Sequence, residues 1–385
     1  MLNVGVIGIG NCGNQIASLA HKEVGCDVFA INTSENDLAT LAPEIPKKCI
    51  GDTQGTGKNR TAAKAFLKQS IMDLIRDEEF KGFINDKDVI LIVSSMGGGS
   101  GSGMAPIMSE IIRDAFRTKS GDEIITILTG VMPRLNEGLS TQVNALDYMH
   151  ELFDVLDSPT YMIYDNNNFA KETSYKVLET VNAAVIEDIK VIQCKYNVAT
   201  PYDSIDEKDM KTLLSSPGRI VISSLLQLKE KDIDELSIED LLIERIKKSA
   251  HAELQRDGIV ARTGLITNLS DRLNSQFDTH INSVRKFIGE PTEEFLHIAV
   301  NEDKALPNNV CLVLTGLSKI TDRVDKIRER ISEIESQQRE KESEVDDASI
   351  DSDEIARLNG KRNYRESKKQ DETVNLENIF NRFNA

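Results

Sequence analysis

The chain is 385 residues long and carries a formal net charge of −17, with 39% hydrophobic and 28% charged residues. This length favours two domains with an appendage. The charge argues against attraction of the whole protein to nucleic acid, and no apolar run approaches the roughly 20 residues that cross a bilayer. The strand-like start of the chain predicts no signal peptide. Five scattered cysteines without a C-x-x-C pair argue against a disulfide framework or a zinc site and for a reducing cytoplasm.

The first half of the chain alternates apolar strand-like runs with helical patterns. The predicted strands are Val4–Ile9, Val28–Asn32, Val89–Ser95, Ile124–Val131 and Tyr161–Asp165. The predicted helices are Asn14–Glu23, Thr61–Arg76, Ala105–Phe116, Leu139–Leu156 and Ser174–Ile192. This alternation predicts an α/β fold with a mainly parallel sheet and helices on both faces. Ligands of such sheets bind at the carboxyl ends of the strands.

The second half predicts a smaller α/β layer. Apolar residues at helical spacing across 171–193 predict a helix that joins two domains. Beyond it, the predicted strands are Arg219–Leu225, Glu294–Val300 and Val310–Gly316. The predicted helices are Glu239–Leu254 and Asp271–Val284. From Asp322 to about Glu344, apolar residues at three- and four-residue steps predict an exposed amphipathic helix. Val345 onward, first acidic and then basic, is expected to be largely disordered.

A first glycine-rich loop, Gly8–Gly13, follows a predicted strand and precedes a helical pattern. It matches G-x-G-x-x-G, in which glycine lets the backbone approach phosphate and the helix N-terminus supplies unpaired N–H groups. Alone, this pattern is typical of dinucleotide-binding domains, and a tight turn without a ligand also accounts for it.

A second loop, Gly97–Gly103, contains five glycines and two serines between a predicted strand and a helix. Such a run can form a nest of N–H donors around an oxyanion. A passive linker is the alternative, but linkers do not join a buried strand to a helix. Two such loops favour a nucleoside triphosphate, which has more charge to hold than a nicotinamide cofactor.

Gly97–Gly103 resembles the signature loop of tubulins and FtsZ, and other segments follow in register over roughly residues 1–318. The resemblance implies a parallel-sheet GTP-binding domain, 1–170, a central helix, 171–198, a smaller α/β activation domain, 199–318, an exposed C-terminal helix, 319–345, and a flexible charged tail, 346–385. It also implies that GTP or GDP is bound by Gly10, Asn11, Cys12, Gly13, Asn32, Gly55, Thr56, Gly57, Lys58, Asn59, Gly97, Gly98, Gly99, Ser100, Gly101, Ser102, Gly103, Glu137 and Asn166. The residue that reads guanine is either Asn182 or Tyr175 with Glu179. Mg²⁺ is expected to bridge the β- and γ-phosphates, with no protein ligand identified.

Asp206 and Asp209 resemble the two aspartates of the FtsZ synergy loop. The resemblance implies that this loop completes the catalytic site of the next subunit in a head-to-tail filament. Both aspartates are also suited to capping the helix that runs to Leu214. Ser204 replaces the family's asparagine, and Ser140–Gln142 lacks an arginine that FtsZ carries near its glutamate-glycine pair.

These departures favour the plasmid and phage branch of the family, called TubZ. That branch implies a cytoplasmic bacterial filament that moves plasmid or phage DNA, with the basic tail contacting a DNA-binding adaptor and no direct contact with the membrane. An FtsZ-like division protein is the alternative, and a nicotinamide-dependent oxidoreductase built on Gly8–Gly13 is a remote one. GTP retention without a response to NAD separates these classes.

Overall fold

The computed structural model describes residues 2–51, 54–229, 237–254, 260–277, 285, 289–301, 307–346 and 376–383. Its strands are β1 (Val4–Ile9), β2 (Asp27–Asn32), β3 (Lys47–Cys49), β4 (Val89–Ser95), β5 (Ile125–Met132), β6 (Thr160–Asp165), β7 (Gly218–Leu228), β8 (Arg262–Leu269), β9 (Glu293–Val300) and β10 (Asn308–Leu317). Within these residues the strands form one sheet in the order β3-β2-β1-β4-β5-β6-β7-β10-β8-β9. Strands β1 to β6 pair in parallel, as the alternation of strand and helix predicts.

Helices cover both faces of this sheet. They are α1 (Gly10–Val24), α2 (Glu35–Ala39), α3 (Arg60–Arg76), α4 (Glu78–Asn85), α5 (Ser100–Ala115), α6 (Leu139–His150), α7 (Ser174–Ile192), α8 (Glu207–Leu214), α9 (Ile238–Lys247), α10 (Asp271–Phe277), α11 (Thr321–Asp346) and α12 (Leu376–Phe383). A π-helical turn, Glu151–Val155, follows α6, and a 3₁₀ turn, Asn166–Phe169, follows β6. Strand β1 is buried along its whole length, because helices cover both of its faces.

The central helix α7 has the bounds predicted for the helix Ser174–Ile192, is shorter than the 171–198 segment, and buries one face. Its buried residues include Val177, Val181, Val185 and Ile189, which recur at the spacing of one helical face. Leu178, counted with that face in the sequence, is instead 43% exposed. The α7 helix therefore packs with its buried face against α1, β7 and the 3₁₀ turn that follows β6.

The seam between the two halves of the sheet lies where β6 meets β7. Their parallel register aligns Thr160 with Gly218 and Tyr161 with Arg219. On either side of the seam the pairing is longer, from Ile127 to Met132 along β5–β6 and over most of β7 with β10. Among the described strands this is the shortest pairing, with two residue pairs against three between β2 and β3.

The end of the chain differs from the predicted flexible tail. Within the described residues it forms α12, in which Ile379, Phe380 and Phe383 are buried in the core formed mainly by the first half of the chain. These three side chains line one helical face and bury apolar surface, which stabilises an ordered helix. The prediction of disorder was wrong for 376–383. It rested on the high charge of the tail and overlooked the short apolar pattern at its end. The basic run at 357–369 lies outside the described residues.

Helix α11 is also less exposed than its charge predicts. Val324 and Ile327 are buried, and Arg323 forms an ion pair with Asp165 at 2.7 Å. Arg323 is itself buried, so this pair fixes the start of α11 against the end of β6. The remaining side chains of 321–340 are mostly exposed, as expected for an amphipathic helix.

Candidate nucleotide site

Four loops converge on one cavity of about 490 Å³ at the carboxyl ends of β1, β2 and β4. The residues of this cavity that the sequence predicts as nucleotide ligands are Gly10, Asn11, Cys12, Asn32, Gly55, Thr56, Gly57, Lys58, Gly98, Gly99, Ser100 and Gly101. Residues of the cavity that the sequence analysis missed are Ile9, Ser34, Asp37, Gln54 and Ser95. Parallel strands end at one edge of a sheet, which is why segments far apart in sequence meet here.

The loops approach each other so closely that two glycines have no room for a side chain. A Cβ on Gly10 would lie 2.9 Å from the amide nitrogen of Gly101, and Gly10 has a φ of +74°. A Cβ on Gly99 would lie 2.2 Å from Thr56 Oγ1 and 2.8 Å from Lys58 Cα. The two glycine-rich loops and the 55–59 loop therefore form one packed cradle of backbone.

Hydroxyl groups bridge the loops inside the cradle. Ser100 Oγ lies 2.6 Å from Thr33 Oγ1 and 3.3 Å from Thr56 Oγ1. Beside them, Asn32 Nδ2 donates to Asp37 Oδ2 at 3.2 Å. The cavity thus combines backbone N–H donors with hydroxyl, amide and carboxylate oxygens.

Asn144 on α6 clamps the loops from outside the cavity. Its Nδ2 donates to the carbonyl oxygens of Lys58 and Gly98, each at 2.9 Å. Lys58 Nζ in turn donates to Thr141 Oγ1 at 2.7 Å. Because one buried amide holds both loops, Asn144 orients the cradle without lining it.

A second support comes from Arg60, the first residue of α3. Pro106 lies inside α5 and has no N–H to donate to the carbonyl four residues earlier, that of Ser102. Arg60 Nη2 donates to this carbonyl oxygen at 2.9 Å and also binds Glu151 at 2.5 Å. Arg60 and Glu151 are both buried, so the arginine satisfies an orphaned carbonyl and a buried carboxylate together.

Several predicted ligands support the site from beside it. Asn59 caps α3 by accepting from the N–H of Ala62, and Ser102 Oγ donates to the carbonyl of Gly98. Gly13, Gly97 and Gly103 are buried where a Cβ would meet neighbouring atoms. None of these five residues lines the described cavity.

The predicted base and ribose contacts lie outside this cavity. Glu137 accepts from the N–H of Arg134 at 2.8 Å, and Asn166 begins the 3₁₀ turn. Asn182 is half-buried on α7, whereas Tyr175 is 71% exposed. A hydrogen bond from the Tyr175 hydroxyl to Glu179, one turn later on α7, raises the pKa of Tyr175.

Asp206 and Asp209 form a reciprocal capping box at the start of α8. Asp206 Oδ1 accepts from the N–H of Asp209 at 2.8 Å, and Asp209 Oδ2 accepts from the N–H of Asp206 at 3.2 Å. The capping alternative is therefore present in the fold. Asp206 is also exposed, so its carboxylate can contact a second molecule.

The Cys12 side chain of the first loop is half-buried and lines the cavity. Burial raises the pKa of Cys12 to about 12, so the reactive thiolate is scarce at neutral pH. This agrees with a small apolar filler beside the phosphate loop.

Comparison with known proteins identifies the domain. Residues 3–174 match the model of the tubulin/FtsZ family, GTPase domain. These residues are a tubulin/FtsZ GTPase domain. The protein is accordingly a GTPase that binds GTP and GDP.

Relatives extend the similarity beyond this domain. A tubulin-like protein CetZ from Pyrococcus furiosus is 26% identical over 272 residues, covering 67% of this chain and 71% of that protein. The cell division protein FtsZ of Buchnera aphidicola subsp. Baizongia pistaciae is 24% identical over 336 residues, covering 82% and 80%. The GTPγS-form protofilament of Bacillus thuringiensis serovar israelensis TubZ aligns with a TM-score of 0.70 and 18% identity, covering 88% of this chain and 94% of that one. The fold is thus shared well past residue 174. Within the described part of the chain, no helix is long and apolar enough to span a membrane.

Proposed function

We propose that this GTPase forms head-to-tail filaments in which two adjacent subunits share each catalytic site. The observation that carries the proposal is a separation within one chain: the glycine-rich loops line a cavity, and Asp206 and Asp209 do not. Head-to-tail stacking is a heterologous contact that does not close, so it gives filaments. The protofilament of Bacillus TubZ, which has the same fold, supports this arrangement.

Within one subunit, the backbone N–H groups of Gly10–Gly13 and Gly97–Gly103 would hold the phosphates. The N-termini of α1 and α5 begin in these loops and favour negative charge there. The 55–59 loop, packed against Gly99, would sense the γ-phosphate. Asn182, or Tyr175 with Glu179, would pair with guanine through amide or hydroxyl groups.

In the hydrolysis step, a water oxygen bonds to the γ-phosphorus while the bond from that phosphorus to the β–γ bridging oxygen breaks. GDP and inorganic phosphate are released. Asp206 and Asp209 of the adjacent subunit would orient this water and accept its proton. A lone subunit would then hold GTP without a complete site.

Mg²⁺ would supply charge neutralisation on the β- and γ-phosphates. The cavity offers oxygen donors of the kind that Mg²⁺ prefers: the Asp37 carboxylate and the Thr56 and Ser100 hydroxyls. The described residues contain no group of three or more His, Cys, Asp or Glu that could hold a metal. Phosphate oxygens and water would therefore complete the coordination.

The shared site is tested by measuring phosphate release over a range of protein concentrations, with electron microscopy of the same samples. We expect release per subunit to rise where filaments appear, because each site needs two subunits. A release rate per subunit that stays constant while filaments appear would exclude the shared site. GTP binding measured at the lowest concentration separates loss of binding from loss of catalysis.

We further propose that the filament moves plasmid or phage DNA in the bacterial cytoplasm. Six cations lie close together in a chain of net charge −17: Arg357, Lys361, Arg362, Arg365, Lys368 and Lys369. Such a run is suited to a DNA-binding adaptor or to DNA itself. The resemblance to the TubZ branch supports this role. An FtsZ-like division protein is the second candidate, because an FtsZ sequence is similar over 82% of the chain.

A further inference from the structure

The last helix of the chain occupies a groove on the GTPase domain. We call this the terminal groove; it is formed by α3, α5 and the π-helical turn Glu151–Val155. Ile379, Phe380 and Phe383 of α12 are buried in it, whereas Asn381 and Arg382 are exposed. The helix therefore binds with one apolar face, as amphipathic peptides bind helical grooves.

Charged side chains fix the position of α12 in the groove. Arg382 forms an ion pair at 2.6 Å with Glu110, which is only 1% exposed. Burial raises the pKa of the Glu110 carboxyl, while Arg382 and Arg113 oppose that rise. Lys68 Nζ lies over the ring of Phe380, 5.9 Å from the ring centroid. The groove thus selects a helix with two aromatic anchors and a cation beside them.

A continuous chain of polar contacts links this groove to the nucleotide cradle. Lys64 Nζ donates to the carbonyl of Phe383 at 2.7 Å and to Glu151 at 2.5 Å. Glu151 accepts from Arg60 at 2.5 Å, and Arg60 donates to the carbonyl of Ser102 in the signature loop. Lys64, Glu151 and Arg60 are largely buried, so solvent screens these contacts weakly.

We propose that residues 376–383 are a detachable helical ligand of the terminal groove and that their docking is coupled to the nucleotide. Any rearrangement of the signature loop around the γ-phosphate moves the Ser102 carbonyl and, with it, Arg60, Glu151 and Lys64. Docking of α12 and GTP affinity then influence each other reciprocally. The occupant is this chain's own helix, whose apolar face is buried in the groove. Residues 347–375 could reach up to about 100 Å, which is enough for the helix to leave the groove and return.

This inference rests on the nucleotide position proposed above, so nucleotide binding is measured in parallel with labelled GTPγS. The chain contains no tryptophan. A Phe383→Trp variant of the full chain therefore gives an emission signal from the terminal groove alone. The control is Asn381→Trp, on the exposed face of α12, whose emission docking should leave nearly unchanged.

A synthetic peptide of residues 374–385 is then titrated into Phe383→Trp with GDP or with GTPγS bound. We expect the peptide to displace the helix, shifting the emission to longer wavelength. The half-effective concentrations with the two nucleotides should differ by at least about fivefold, the lower end of typical allosteric coupling. A peptide with Phe380 and Phe383 replaced by alanine should have no effect.

Equal half-effective concentrations would overturn the coupling, provided that labelled GTPγS binds. An emission that no peptide concentration changes would show a permanent core helix and overturn detachment. Emission that depends on protein concentration would assign the groove to a second copy and overturn docking within one chain. Amide hydrogen exchange of residues 376–383, measured on the unmodified chain with GDP and with GTPγS, makes the same comparison without an introduced tryptophan.

Matched lysine variants test the route of the coupling. Lys64→Met keeps the aliphatic stem but removes the contacts to Phe383 and Glu151. Lys68→Met removes only a contact to the Phe380 ring. We expect Lys64→Met to abolish the nucleotide dependence of displacement and Lys68→Met to preserve it. Equal nucleotide dependence in both variants would overturn the proposed route.

Discussion

At the scale of single residues, Gly98 offers the sharpest test of the phosphate cradle. A Cβ on Gly98 would meet nothing nearer than Ser95 Cβ at 4.0 Å, and Gly98 lines the cavity. Gly98→Ala should therefore fold normally but lose GTP affinity, because the methyl group occupies the space that phosphate needs. Binding of labelled GTP and the midpoint of thermal unfolding measure the two effects separately.

Two further glycines are the controls for this test. Gly99→Ala should lose both stability and GTP binding, since its Cβ would meet backbone of the 55–59 loop. Gly82→Ala on α4, where a Cβ has open space, should leave GTP binding unchanged and should not lower stability, since alanine favours helix more than glycine does. Normal GTP affinity in Gly98→Ala would remove this loop from the phosphate site.

Asparagine substitution separates the two roles of Asp206. Asparagine caps helices about as well as aspartate, whereas alanine removes a cap at about 0.5–2 kcal/mol. Asp206→Asn should thus keep its stability and GTP affinity while hydrolysis falls by about 10²- to 10⁴-fold, because the carboxylate is lost. Its filaments should persist, since the γ-phosphate remains at the subunit contact. Phosphate release and light scattering measure both effects.

The matched control is Asp77→Asn, at the N-terminus of α4. Asp77 also caps a helix, accepting from the N–H groups of Glu79 and Phe80, and it does not line the cavity. We expect this variant to hydrolyse GTP normally. If Asp206→Asn does the same, Asp206 is a helix cap and the water is positioned by other groups.

Local sequence is informative about the cradle because its ligands are backbone groups. The glycine content of Gly97–Gly103 is enough to predict a phosphate-binding loop. The loop from Gly55 to Lys58 was predicted from its resemblance to tubulins and FtsZ. Asn144 and Arg60 could not be found this way, because each acts through a contact with a distant segment. Pro106 is the one local signal for Arg60, since a proline inside a helix leaves the carbonyl four residues earlier without its usual donor.

At the scale of elements, buried strands were the easiest to predict. The bounds of β1 and β4 were predicted without error, since a strand buried on both faces is a continuous apolar run. Helix α5 begins at Ser100 rather than Ala105, because side-chain and tertiary contacts override the low helix propensity of glycine. Strand β8 was missed; its Arg262–Leu269 sequence mixes polar and apolar residues and takes its stability from β9 and β10.

The junction of α3 and α5 supplies a prediction at this scale. Arg60→Met leaves the carboxylate of Glu151 with Lys64 as its remaining partner and leaves the Ser102 carbonyl unpaired. Breaking a buried pair typically costs about 3–5 kcal/mol. We expect a corresponding loss in the free energy of unfolding by urea. Lys81→Met, which removes an exposed pair on α4, should lose at most about 1 kcal/mol.

Adding Pro106→Ala should partly rescue Arg60→Met. Alanine restores an N–H that can donate to the Ser102 carbonyl within α5. The double variant should therefore be more stable than the sum of the single changes predicts. Strict additivity would show that the arginine acts through its charge pairs alone.

At the scale of the whole molecule, the basic run is the principal positive segment of an acidic protein. Replacing the six cations between Arg357 and Lys369 with serine, while keeping residues 376–383, should leave GTP hydrolysis unchanged. If the basic run binds the proposed adaptor, the same change should abolish salt-sensitive capture of an adaptor–DNA complex, because that contact would depend on charge. Pull-down with labelled adaptor–DNA at two salt concentrations measures capture.

The control for the basic run neutralises exposed cations on α11, namely Lys326, Arg328 and Arg339. This variant should capture the complex as the unmodified chain does. If the serine variant also captures it normally, the cargo contact lies on the folded body. Truncation at residue 356 is a poorer test, since it also removes α12 from its groove.

The short pairing of β6 with β7 has a mechanical consequence. Two neighbouring strands resist twisting more strongly when more of their residues are paired. Between β6 and β7 the pairs are Thr160 with Gly218 and Tyr161 with Arg219. Torque applied between the ends of a subunit would load this line, where the β6–β7 pairs and the hydrogen bonds of Ile163 and Asp165 with residues 250–252 resist twisting. A filament of such subunits would flex within its subunits as well as between them, and its bending rigidity would be set partly by the contacts of α7 that bridge the line.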